Sequence, residues 1–85
     1  MKEVGYKIFW NGEFVGEMLE PNLDMFFSYG KWKPTNSTST EKFLNELKNE
    51  EQLIVRFDDP VLGLAGIVET FPDKEIEVTH YPNLD

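Results

Sequence analysis

Eighty-five residues make one domain with a single modest core, and a composition of 40% hydrophobic and 28% charged residues places the chain among globular rather than disordered proteins. Sixteen acidic against eight basic residues give a net charge of −8, which argues against gripping nucleic-acid phosphates or anionic membranes. The chain has no cysteine, so disulfides, thiolate metal sites and cysteine nucleophiles are excluded. With no signal-like apolar stretch after Met1, a cytoplasmic home is expected.

The first element is a hairpin. Lys7-Ile8-Phe9-Trp10 and Glu13-Phe14-Val15 flank Asn11-Gly12, a pair that adopts φ > 0 at both central positions of the turn whose twist suits two strands. A two-residue loop sets Trp10 against Glu13, Phe9 against Phe14, Ile8 against Val15 and Tyr6 against Glu17. Val4, Tyr6, Ile8, Trp10 and Val15 then share one face, and Phe9, Phe14 and Met18 the other. Both faces are apolar, so each must be covered, or aromatic side chains remain for a partner.

Glu20-Pro21-Asn22 signals a turn, after which Tyr29 to Lys33 reads as a third strand with Gly30 marking a bulge or a close approach. Thr38 with Glu41 three residues on predicts a capping box, and Phe43, Leu44 and Leu47 give the following helix, residues 39–50, an apolar stripe. Asn36-Ser37-Thr38 matches a glycosylation sequon but reads better as the polar run before that helix. The period then changes to two. Leu53, Val55 and Phe57 alternate with Ile54, Arg56 and Asp58, Asp58-Asp59-Pro60 turns the chain, and residues 62–71 and 75–81 follow as strands around a turn at 71–74. The expected fold is α+β: one helix packed on a mostly antiparallel sheet of five to six strands, ordered hairpin, third strand, helix, three-stranded meander.

Catalytic chemistry finds little support. His80 is the only histidine, and no serine or threonine is marked by spacing as its partner. Asp58-Asp59 and Glu50-Glu51 lack the alternate acids and central glycine of a calcium loop, and Asp58-Asp59 suits turn capping. No glycine-rich phosphate loop occurs. Neither an enzymatic activity, a cofactor nor a metal is expected.

Charge and aromatics divide the chain. Eight of its twelve aromatic residues lie in the first forty positions, and eleven of its sixteen acids lie after them. Aromatics anchor interfaces and clustered charge steers encounter. The sequence therefore predicts a small acidic, non-enzymatic binding protein, a stoichiometric inhibitor of a basic site on a partner protein, in the manner of an immunity protein or a nucleic-acid mimic. Trp10, Tyr29 and Trp32 are its expected anchors, and Asp58, Asp59, Glu69, Glu75 and Glu77 its expected acidic surface. The alternative is an accessory subunit or homodimer that packs through the aromatic hairpin.

Overall fold

A computed structural model describes residues 5–49, 52–68, 72 and 74–80. Three strands, β1 (Gly5–Trp10), β2 (Glu13–Asp24) and β3 (Phe27–Pro34), precede helix α1 (Thr38–Lys48), and β4 (Leu53–Phe57), β5 (Ala65–Val68) and β6 (Glu75–Thr79) follow it. They do not form the expected open α+β sheet with a helix on its face. The six strands close into an antiparallel barrel in the order β1-β2-β3-β6-β5-β4. The last seam pairs Ile8 with Phe57 and Phe9 with Arg56. Each of the six described strands thus has a neighbour on both sides.

The hairpin shows why the sheet curls. Asn11 and Gly12 have φ of 51° and 79°, as the turn requires. The ladder slips between Ile8 and Phe9, however, so Ile8 pairs with Gly16 and Phe9 with Phe14, leaving Val15 as the extra residue of a β-bulge. Past the bulge the parity of β2 reverses, and Met18 pairs with Tyr6 instead of sharing a face with Phe14. Ile8, Val15 and Met18 are all fully buried, while Phe9 and Phe14 are left on the outside, their rings 5.7 Å apart. The expected second apolar face therefore loses Met18 to the core and keeps Phe9 and Phe14.

A second irregularity replaces the expected turn at residues 20–22. Register shifts between Leu19 and Asn22, with Glu20 at φ 50°, and β2 runs on through Pro21 as one bent strand of twelve residues. Proline has no N–H to give a ladder, so the irregularity is where it is tolerated. Gly30 lies opposite this bend. A Cβ there would stand 2.6 Å from the Leu19 carbonyl, so the close approach of β2 to β3 requires glycine.

The helix closes one end of the barrel. Phe43 is fully buried between Trp10 and Trp32, with ring centroids 5.7 and 6.1 Å away, and Leu47 is buried beside it. The cap is Ser37 rather than Thr38: its Oγ accepts the Thr40 N–H at 3.2 Å. Thr40 in turn ties the helix to the bulge. The Val15 carbonyl accepts the Thr40 hydroxyl at 2.9 Å and the Thr35 N–H at 3.0 Å, so the oxygen displaced from the ladder is satisfied. Residues 62–64, the start of the expected strand over 62–71, instead belong with the turn at Asp58-Asp59-Pro60 to one loop before β5.

Candidate partner-binding site

Strand direction sorts the connections to the two ends of the barrel. The β1–β2 turn and α1 lie at one end, and the β2–β3 turn, the β4–β5 loop and the end of β6 at the other. At this second end the usual placement of apolar side chains is reversed. Leu23 at the end of β2, Met25 and Phe26 in the turn that follows it, and Val61, Leu62 and Leu64 in the β4–β5 loop are all exposed, Met25 by 90% and Leu62 by 85%. Single exposed apolar residues are ordinary, but five on two loops at the same end, with Leu23 beside them, form an exposed apolar surface.

Met25 is the sharpest case. It occupies the first central position of the two-residue turn between Asp24 and Phe27, at φ 55°, where glycine is preferred and an L side chain costs about 1 kcal/mol. Its side chain neither packs nor eases the turn.

His80 joins the two loops. Its backbone N–H donates to the Phe26 carbonyl, next to Met25. Its Nδ1 lies 3.0 Å from the Ala65 carbonyl, where the second loop enters β5, and its Nε2 lies 2.7 Å from Ser28 Oγ. A carbonyl can only accept, so Nδ1 carries a proton, and in the neutral ring that tautomer leaves Nε2 to accept the serine hydroxyl. Phe57 meets the imidazole edge-on at 5.0 Å and stacks on Tyr6 at 5.1 Å. A serine against a histidine has the outline of a nucleophile and its base. Here Ser28 is 1% and His80 7% exposed, and a backbone carbonyl stands where a carboxylate would orient the ring, so the pair ties strands together.

Asp58 and Asp59 shape the second loop. Asp58, at φ 64°, donates its N–H to the Lys7 carbonyl at 2.8 Å and accepts the Lys7 N–H on Oδ1 at 2.9 Å, extending the seam between β1 and β4 by a side chain. Asp59 Oδ1 accepts the N–H groups of Leu62 at 2.7 Å and Val61 at 2.8 Å. Arg56 Nη1 donates to the Gly63 carbonyl at 2.9 Å. A Cβ on Gly63 would stand 2.0 Å from the Phe57 carbonyl, so this loop closes only around glycine.

The Leu62 and then the Val61 N–H, helped by Arg56, hold the Asp59 carboxyl below its ordinary value near 3.8. A depressed carboxyl stabilises the folded loop while it is ionised, above the unfolded-chain value, and that contribution is lost as pH falls through the folded one. The Val61 and Leu62 amide resonances should therefore shift together in an NMR titration, with a midpoint below 3.8. Asp59→Asn should abolish the step. A midpoint at or above the ordinary value would show that the two N–H groups do not hold the carboxylate.

The residues expected to bind are dispersed. Trp10 and Trp32 sit half-buried against Phe43 at the helix end. Tyr29 faces outward on β3, its ring 5.6 Å from Phe27. Glu75 and Glu77 are exposed on β6, but their cross-strand neighbours are Lys31 and Tyr29. Farther along, Lys7, Glu17 and Lys33 alternate in sign across β1, β2 and β3, so acids and lysines interleave on this surface. Glu69 lies outside the described residues. Sequence reasoning missed Ser28 and the apolar loop residues. A signal existed for the latter, since Met25-Phe26 and Val61-Leu62 each adjoin an Asp-containing turn, where apolar pairs have no packing reason to be.

Among the described residues no group of three or more His, Cys, Asp or Glu side chains could hold a metal ion, and no helix is long and apolar enough to cross a membrane. Comparison with protein-family models, with curated proteins and with solved structures found no match.

Proposed function

We propose that this chain is a small acidic, non-enzymatic binding protein that inserts the apolar loop end of its barrel into a basic-rimmed site on a partner protein and blocks it stoichiometrically. The observation that carries the reading is the exposure of Met25, Phe26, Val61, Leu62 and Leu64 on two loops at one end, with Leu23 beside them at the end of β2. Large apolar side chains at the centre of a patch supply most of the energy of an interface, and a charged rim governs encounter. Asp24, Asp58 and Asp59 stand beside those loops, so the complementary rim is basic. Met25 and Phe26 replace Trp10, Tyr29 and Trp32 as the anchors.

The strained turn supplies a test that separates binding from folding. Met25→Gly relieves the positive φ and should leave the barrel as stable as before or up to about 1 kcal/mol more stable. It should also remove the anchor. A tagged wild-type chain should retain a basic partner at one-to-one stoichiometry from native lysate, more strongly at low than at moderate salt. Met25→Gly and Leu62→Asp should release it about tenfold or more faster. Retention by both variants would remove the loop end from the argument.

A second reading, an accessory subunit in a larger assembly or a homodimer, draws on the outward Phe9 and Phe14 pair. It is distinguished by a partner that is indifferent to salt and to Met25→Gly but lost on Phe14→Asp.

A further inference from the structure

The apolar surface at the loop end is not chemically uniform. Leu23, Phe26, Val61, Leu62 and Leu64 are hydrocarbon side chains that peroxides leave unchanged, whereas Met25 carries a thioether. The chain has no cysteine, so no thiolate competes for an oxidant and the thioethers are its most readily oxidised groups. Of the three methionines, Met1 lies outside the described residues, and the other two stand at opposite extremes. Met18 is fully buried, with Tyr6 and Trp32 as its cross-strand neighbours, and its Cγ would lie 2.7 Å from a Cβ built on Gly30. Met25 is 90% exposed. Oxidant therefore reaches one sulfur in the folded barrel and is kept from the other.

The reaction needs only a peroxide. The sulfur lone pair attacks one peroxide oxygen, the O–O bond breaks, and that oxygen stays on sulfur while its proton goes to the departing hydroxide, which leaves as water. Sulfur is oxidised by two electrons and the peroxide is reduced by the same two. The dithiol of a methionine sulfoxide reductase returns them, taking the oxygen off as water and becoming a disulfide. In the free chain the new S=O dipole stays in water, and the turn beneath it is held by main-chain pairing of Asp24 with Phe27, so the fold is indifferent to the change. At the centre of an interface the same dipole is a buried acceptor without a donor, which is costly.

We propose that Met25 is a modification site, a reversible oxidation switch whose sulfoxide makes the loop end polar and releases the partner while the barrel stays intact. The release rests on the loop end being the binding surface; the selective oxidation does not.

The test treats the folded full chain with dilute hydrogen peroxide. Peptide mass spectrometry should find one oxygen added at Met25, with Met18 oxidised at least about tenfold more slowly until urea unfolds the chain. Amide NMR dispersion and the urea midpoint should not move. Phenyl-agarose is the probe for the loop end: the oxidised chain should elute earlier than the untreated one, reductase with dithiothreitol should restore the original elution, and Met25→Leu should elute at the same point before and after peroxide. A partner held by the loop end should leave the sulfoxide about tenfold or more faster. Oxidation of Met18 as fast as Met25, a lowered urea midpoint, or elution that oxidation leaves unchanged or shifts equally in Met25→Leu would each overturn the proposal. Reversal by the reductase decides the matter even if Met25→Leu does not fold. A partner that Leu62→Asp releases but the sulfoxide retains would overturn the switch alone, whereas a partner indifferent to both Leu62→Asp and Met25→Gly would overturn the proposed function and leave the oxidation site standing.

Discussion

Phe43→Ala should cost about 3–5 kcal/mol, the largest single loss expected from a conservative truncation in this chain. Phe43 is fully buried and touches both tryptophans, so its removal leaves a cavity bounded by Trp10 and Trp32 under a helix with only Leu47 and Thr40 still buried. Helix α1 has eleven residues, too few to persist by propensity alone, and its hold on the barrel comes from this apolar face and the Thr40 bond to the bulge. Small domains have about 5–15 kcal/mol of stability in total, so the variant should lose a large fraction of it. Urea unfolding measures the loss, and tryptophan emission should move to longer wavelength before the global transition as the two indoles gain water. Leu44→Ala, at a half-buried position of the same helix, should cost clearly less. A loss under about 1 kcal/mol at Phe43 would mean that the helix does not close the barrel.

That helix was legible from its stripe of Phe43, Leu44 and Leu47, whereas the surface it covers was not. Periodicity reports which residues point the same way within one element. It does not report what two elements far apart in sequence do together, and the barrel is made by such pairings: β1 with β4, and β3 with β6. The Asn11-Gly12 turn was legible because its chemistry is local. The bulge at Val15 was not, because a single inserted residue reverses every later side chain of β2, and only the burial of Met18 reveals it. Pro21 misled for a related reason, since a proline that usually ends a strand is accommodated at an irregularity within one. Leu62 and Leu64 read as strand from the sequence, and Met25 and Phe26 carried no element there, because exposure is a tertiary property. The acids gave the opposite difficulty. Their number is plain in the sequence, but Glu75 and Glu77 were assigned to one negative face before Lys31 could be placed between them and Glu20.

His80→Phe should be the second most damaging change, and it bears on the proposed site as well as on the fold. The substitution keeps a ring beside Phe57 but removes both imidazole nitrogens, so the buried Ser28 hydroxyl and the Ala65 carbonyl each lose their bond to the ring. Each such loss costs about 1–3 kcal/mol, so a total of roughly 2–5 kcal/mol is expected. Ser28→Ala removes the other side of the pair and strands Nε2, for about 1–3 kcal/mol. In the double variant the serine can no longer be orphaned by the histidine, so the two losses should fall short of their sum by about 1 kcal/mol or more in a double-mutant cycle. Additive losses would show that the 2.7 Å contact between the two side chains carries no interaction. The consequence for binding follows from position. His80 holds the Phe26 carbonyl through its main chain and the Ala65 carbonyl through its ring, one at each apolar loop, so losing the ring contact frees the second loop from the first. An interface made by two loops must pay the entropy of aligning them on contact unless the free protein has already done so. Under conditions where the variant is still folded, His80→Phe should therefore slow association with the partner, and Ser28→Ala, which leaves the Ala65 bond in place, should slow it less. Equal association rates for His80→Phe and the wild-type chain would mean that the two loops act independently.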